Sequence, residues 1–462
     1  MTNTYTATIG TTPPGPAPRT KGLLSSIRYY SNFIADPFAF INTRFDQYGD
    51  IYCAPNPDGA LYVLRHPDHL REVLLTRADD FSKTHSAFDS LLQVLGDSLL
   101  TSDGENWKRQ RRMVQPAFTR KRLGGYGEMM VAETEKTKAR WQHTSEVDMG
   151  LEMVDLTLNI VCRTLFSYQP SNKTDQVANA MKIFNDSLAG ANILPKWLPT
   201  PNRVRVNRAI GLLDNIIYDI IEQRRAAPES AAQPNDLLQM LATAIDSEGS
   251  GDQLSAKEIR DQLMTLFLAG HETTSHALTW TWYLLAQNPT VEQKLHKELD
   301  QVLAGRTPGI DDLPALPYTE QVIKEAMRLY PPAYLLARRA RCDTEIGGYK
   351  VPAGSEVVIW IYMTHHDARW YPNPDAFIPE RFEPDAVAQR PKHAYLPFGA
   401  GPRSCIGTEF AMLEARLILA TLAQSFRPEL ASKEPVKTKP RITLAPKTKV
   451  KMVLKRRDAT RN

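Results

Sequence analysis

Phe398-Gly399-Ala400-Gly401-Pro402-Arg403-Ser404-Cys405-Ile406-Gly407 is the stretch that decides the fold. It sets one cysteine behind a glycine-rich turn, two residues after an arginine. Just beyond lies a segment, Thr408 to Ala423, whose apolar residues recur at helical spacing. A thiol placed there lies near the free N–H groups and positive dipole end of a helix, which favour its thiolate. A soft anionic ligand of this kind suits iron. Two plainer readings fit less well. An inert core cysteine packs as a small hydrophobe and needs no flanking glycines. A dinucleotide loop needs a third glycine, and Pro402 removes an N–H that would face phosphate.

Working outward, 462 residues with 42% hydrophobic content can bury a substantial core. The 56 basic and 52 acidic residues leave a net charge of +4, too little to imply nucleic-acid binding. Cys53, Cys162, Cys342 and Cys405 are far apart, with no C-x-x-C pair, which fits neither a zinc site nor a disulfide framework and points to a reducing compartment. The N-terminus is polar and proline-rich, without the order of a signal peptide or the length of a membrane span. A soluble, cytoplasmic protein is expected, with a flexible leader over residues 1–21 and one domain over 22–462.

The element signals are mostly helical. Asp36 to Tyr48 reads as a helix, and Ile51 to Cys53 with Leu61 to Leu64 as a strand pair. The longest helix starts at the capping box Ser255-Ala256-Lys257-Glu258 and runs to about Gln287, where Asn288-Pro289 stops it. A second strong helix spans Thr319 to Tyr330. Glu356 to Ile361, Arg441 to Leu444 and Val450 to Leu454 read as strands. The fold class is therefore mainly α with a smaller β-rich part, an α+β arrangement.

Three further constellations stand out. Ala269-Gly270-His271-Glu272-Thr273-Thr274 breaks helix preference in mid-helix, since glycine there costs about 1 kcal/mol and threonine bonds back to the turn below. Read alone, it serves equally as a notch for a crossing helix. His271 and His276 are five residues apart, about 140° around the helix, and cannot share a zinc ion. Glu325-x-x-Arg328 and, downstream, Arg381 in Pro379-Glu380-Arg381-Phe382 supply a carboxylate and two guanidinium groups. Trp107 and Arg111, one helical turn apart, can grip a carboxylate together.

In this order the motifs resemble those of the cytochrome P-450 superfamily, with every fixed position matched from Pro14-Gly15-Pro16 to the terminal strands. The resemblance implies that fold, with a long central helix crossing a heme, and one heme b ligated at its iron by Cys405. It implies that Trp107, Arg111, Arg338, Arg403, His85 and Phe398 surround the heme, the arginines and Trp107 at its propionates. It implies a helix that bulges open at Ala269 to Thr274, where Glu272 and Thr273 feed protons to oxygen. By the same resemblance, Glu325, Arg328 and Arg381 form a buried network that sets the cysteine loop. The activity implied is a monooxygenase that uses O2. Because no reductase domain or nucleotide fingerprint is present, electrons are expected from a separate ferredoxin or flavodoxin and its reductase, drawn from NAD(P)H.

Lys108, Arg109 and Arg112 are candidates for docking that donor. Phe88, Leu95, Phe267, Ala269, Ala333 and Leu335 are candidate pocket residues. Their apolar character favours a lipophilic small molecule of fatty acid, terpenoid or steroid type, and the apolar loop Ile193 to Pro199 is a candidate lid. Two rival classes are a peroxide-driven peroxygenase of the same fold and a non-catalytic heme-binding or gas-sensing protein. Neither accounts for the acid–threonine pair in the long helix.

Overall fold

The computed structural model describes residues 11–16, 31–56, 59–83, 89–167, 200–226, 236–244 and 253–457, together with 180, 183 and 246. The chain forms two compact units interleaved in sequence. One comprises residues 1–87, 333–376 and 384–405; the other comprises 88–332, 377–383 and 406–462.

In the first unit, helix α1 (Pro37–Tyr48) starts where the Asp36 carboxylate accepts the Ala39 N–H and Pro37 presets the first turn. It leads into the antiparallel pair β1 (Ile51–Asn56) and β2 (Gly59–Leu64), with Ile51 opposite Leu64. Strands β3 (Phe81–Ser82), β4 (Leu336–Ala340) and β5 (Glu356–Ile359) complete a five-stranded sheet of order β1-β2-β5-β4-β3, in which only β2 and β5 run parallel. Leu64, Leu70, Val357 and Ile359 are fully buried in one cluster on this sheet. Each such side chain contributes about 1.5–3 kcal/mol by leaving water.

Two expectations change here. The last strand stops at Ile359 rather than Ile361, because Ile361–His365 turns helical and the Thr364 N–H bonds back to the Trp360 carbonyl. Within the leader, residues 11–16 are pinned rather than flexible. The Pro14 carbonyl accepts the Cys53 N–H at 3.0 Å, and a Cβ on Gly15 would come 1.8 Å from the Cys53 oxygen.

The second unit carries α2 (Gly104–Val114), α3 (Arg120–Trp141), α4 (Met149–Phe166), α5 (Pro201–Ala226), α6 (Ala256–Gln287), α7 (Pro317–Leu329) and α8 (Thr408–Ala423). The expected capping box starts α6: Ser255 accepts the Glu258 N–H while Glu258 accepts the Ser255 N–H. Its 32 residues are buried on nearly every face between Ile259 and Leu285, as befits a core helix rather than an amphipathic surface one. Helix α4 crosses it closely. Val161 lies where a Cβ on Gly270 would come to 3.1 Å, and the Thr157 hydroxyl donates to the His271 carbonyl.

Near the C-terminus, β6 (Thr438–Pro440) and β7 (Leu444–Pro446) form a hairpin. The strand expected over Arg441 to Leu444 is instead mostly its turn, where the Arg441 N–H bonds to the Thr443 carbonyl. That turn is anchored at Leu444, whose N–H donates to the Pro332 carbonyl and whose carbonyl accepts the Trp280 indole N–H on α6.

Candidate functional site

In the first unit, backbone bonds lock the cysteine loop. The Cys405 N–H donates to the Phe398 carbonyl at 2.9 Å, the Gly399 N–H to Leu396 and the Ser404 N–H to Gly401. Gly399 and Gly401 hold φ of 70° and 72°, the left-handed region that side chains disfavour. Gly401 is further required because a Cβ there would lie 1.8 Å from the Leu74 carbonyl oxygen. The result is an exposed Cys405 on a backbone that cannot collapse over it, flanked by half-buried Phe398 and Arg403.

The segment entering the loop is held by a residue the motifs do not mark. His365 Nε2 accepts the Leu396 N–H at 2.9 Å, and its ring stacks on Tyr395 at 5.2 Å. That acceptor role puts the ring proton of the neutral imidazole on Nδ1. Arg338 is buried in β4 and donates to the Ala337 carbonyl, while Ala333 and Leu335 are half-buried. His85, Phe88 and the loop from Ile193 to Pro199 lie outside the described residues.

In the second unit, the middle of α6 departs from its buried surroundings. Ala269 is exposed, and Gly270 and Thr273 are half-buried. The expected bulge is absent. The helix is continuous, and the Thr273 and Thr274 hydroxyls bond back to the Ala269 and Gly270 carbonyls at 2.8 and 3.3 Å. Gly270 is thus both a notch for α4 and part of the accessible strip.

Glu272 turns away from solvent. Its Oε1 accepts the Thr443 hydroxyl at 2.7 Å, and His276 Nδ1 lies 3.1 Å from the same Thr443 oxygen. Burial, with Arg441 and His271 nearby, pushes the His276 pKa down to about 4, and burial pushes that of His271 down as well. His271 Nδ1 faces the Phe267 carbonyl at 2.7 Å. The two histidines therefore serve separate hydrogen bonds, and no cluster able to hold a metal ion occurs among the described residues.

Glu325, Arg328 and Arg381 lie together in the structure. Glu325 accepts Arg328 Nε and Nη2 at 2.7 and 2.8 Å and the Ile378 N–H at 3.0 Å, with Arg381 Nε at 3.3 Å. Trp107 and Arg111 share a face of α2, the guanidinium carbon 5.9 Å from the indole centroid. Leu95 and Phe267 are packed interior residues, Phe267 against Phe166 and His271.

The basic trio on α2 is neutralised within the chain. Lys108 pairs with Glu105, Arg109 with Glu258, and Arg112 with buried Asp246. Arg109 and Arg112 act as tethers of α2, which leaves little net charge there for a partner. Glu414 on α8, unmarked by any motif, is fully buried, and neither carboxyl oxygen has a hydrogen-bond partner among the described residues. Burial raises its pKa well above the usual range. The Thr274 hydroxyl is near enough to oppose that shift without forming a full hydrogen bond.

The residues present fit a heme. An exposed thiol on a loop held by backbone bonds provides a soft donor for iron, and in the same unit Arg338 and Arg403 provide guanidinium groups suited to carboxylates.

The sequence profile of the family described as Cytochrome P450 matches residues 14–453. Cyclooctatin synthase of Streptomyces melanosporofaciens is 36% identical over 401 residues, 86% of each chain. Pentalenene oxygenase of Streptomyces avermitilis is 34% identical over 395 residues, 85% of this chain and 86% of that one. Among solved structures, the heme domain of a cytochrome P450DA mutant superposes with a TM-score of 0.86 at 26% identity, covering 98% of this chain and 99% of that one. No helix among the described residues is long and apolar enough to cross a membrane.

Proposed function

The chain belongs to the cytochrome P-450 family of heme b monooxygenases, and from that premise we propose that it inserts one oxygen atom from O2 into a lipophilic substrate of terpenoid type. Electrons come from a separate ferredoxin or flavodoxin and its NAD(P)H-dependent reductase. Residues 22–462 act as one functional domain. The observation that carries the reading is Cys405, exposed on a loop whose two left-handed glycines and backbone bonds hold it in place.

Heme bound through the Cys405 thiolate supplies the redox and oxygen chemistry, because a thiolate donates electron density toward iron. Arg338, Arg403, Trp107, Arg111 and His85 would hold its propionates, and Phe398 would belong to the same heme-binding set. Thr273 and Glu272 are the groups that hold and pass a proton, at Thr273 Oγ1 and the Glu272 carboxyl. That pair favours O2 chemistry over a peroxide-driven reaction or gas sensing. The buried network of Glu325, Arg328 and Arg381 positions the cysteine loop. Ala269, Ala333, Leu335, Phe88, Leu95 and Phe267 shape an apolar pocket or its supporting wall. A terpenoid substrate is favoured by that apolar character and by relatives named for pentalenene and cyclooctatin.

The test has two arms. Reduced, carbon monoxide-treated protein is expected to show the red-shifted Soret band of thiolate ligation, and Cys405→Ser to lose it; a band that persists removes the ligand assignment. Cyclic terpenes, fatty acids and steroids are then compared by heme spin shift and by turnover, driven by NADPH with a generic ferredoxin system or by hydrogen peroxide. Spin shifts and NADPH-driven product confined to fatty acids would overturn the terpenoid assignment, and product formed only with peroxide would overturn the O2 reaction.

A further inference from the structure

Thr443 is separated from Glu272 by about 170 positions in the chain, yet its hydroxyl is the donor to Glu272 Oε1 at 2.7 Å. Because that proton points at the carboxyl, the lone pairs of Thr443 Oγ1 are left to accept. His276 Nδ1, 3.1 Å away, must then be the protonated nitrogen of the ring. Thr443 has little freedom to leave. It is buried in the turn of the β6–β7 hairpin, next to Leu444, which is clamped to Trp280 of α6 and to Pro332. His276 is one helical turn beyond Glu272 on α6, so the helix fixes the spacing of donor and acceptor.

We propose that Thr443 and His276 are positioning residues that hold the Glu272 carboxyl in one orientation through a hydrogen-bond chain, His276 Nδ1–H to Thr443 Oγ1 and Thr443 O–H to Glu272 Oε1. This rests on the reading of Glu272 as a proton-passing group. A proton-passing acid contributes only while it is aimed, as second contacts behind metal ligands also show, where their loss costs 10- to 100-fold. Thr443→Val keeps the shape of the side chain and removes the hydroxyl. Thr443→Ser restores it. His276→Leu removes the ring donor, and His276→Asn returns an N–H at nearly the Nδ1 position.

Two readouts test the chain. The first needs no turnover: holoenzyme labelled with 15N-histidine is examined as its ferrous carbon monoxide complex, with His276 assigned by its missing signals in His276→Asn. Nδ1 is expected to be the protonated nitrogen, with its resonance shifted in Thr443→Val. Protonation at Nε2 instead, or a resonance indifferent to Thr443→Val, overturns the proposal.

The second readout is the ratio of peroxide to product under NADPH-driven turnover. It is expected to rise about three- to tenfold in Thr443→Val and His276→Leu and to recover in Thr443→Ser and His276→Asn, with an unchanged Soret band in all four. Ratios equal to that of the parent protein overturn the proposal. If the parent forms no product from O2, the functional reading fails by itself, while the histidine spectrum still decides the hydrogen-bond chain.

Discussion

Enclosing a carboxyl without a hydrogen-bond partner costs free energy, and among the described residues Glu414 on α8 has none. Its folded-state pKa is raised by desolvation, so the folded protein holds this proton more tightly than the unfolded chain does. The associated penalty is small in acid and grows as pH rises past the ordinary carboxylate value of 4.5. Glu414→Met fills similar space with no polar atom, so we expect a gain of about 1–3 kcal/mol at pH 8, shrinking toward pH 4. Urea unfolding at the two pH values measures it, and equal stability of variant and parent at pH 8 would refute it. Thr273 poses the opposite case, since its hydroxyl already has a local partner in the Ala269 carbonyl and little stability depends on it. We expect Thr273→Ala to bind heme and substrate normally while diverting reducing equivalents to peroxide by about tenfold or more. Coupling unchanged from the parent protein would separate Thr273 from proton transfer.

At the scale of elements, α7 shows how one helix turn can hold a network together. Glu325 and Arg328, three residues apart, are both fully enclosed, and the bidentate pair is completed by the Ile378 N–H and by Arg381. On the same helix, Lys324 and Glu320 form a partly exposed pair. Removing the charge in Glu325→Gln strands two buried guanidinium groups and is expected to cost about 3–5 kcal/mol, against less than about 1 kcal/mol for Lys324→Ala. Comparable losses for the two variants in chemical denaturation would show that burial does not set the difference. What could be read from sequence divides along the same physical line. The start of α6, the pairing of β1 with β2 and the Glu325–Arg328 turn follow from local spacing, which a capping box or an i,i+3 pair records directly. The roles of His365, Glu414 and Thr443 follow from contacts across the chain that leave no period. Glu414 sits inside an apolar helical pattern, and Arg441 to Thr443 read as strand when they form a turn. The cations of α2 were visible, but their anions on distant segments were not.

For the whole molecule, three half-buried histidines contribute to the pH dependence by staying uncharged in the folded state. His69, His276 and His296 are each pushed down to about 4, chiefly by burial, from an ordinary value of 6.5. Between those values the unfolded chain binds protons that the folded chain refuses, so stability falls as pH drops from 6.5 toward 4. Glu292 works the other way: burial raises it to about 7 from 4.5, and the folded state holds its proton across nearly the same window. Asp50, held near 2 against desolvation by Arg369 and Arg65, adds its loss only in stronger acid, below its ordinary 3.8. Near pH 5.5 the three histidines, with His271 pushed the same way, outweigh the protons held by Glu292 and Glu414, so the slope keeps the sign set by the imidazoles. Urea midpoints measured from pH 7 to pH 5 are therefore expected to fall steadily. Glu292→Gln is expected to steepen the fall by about one proton, and His296→Asn to flatten it by as much. A stability that is level across this range, or that rises toward acid, would mean that these imidazoles are charged in the folded protein.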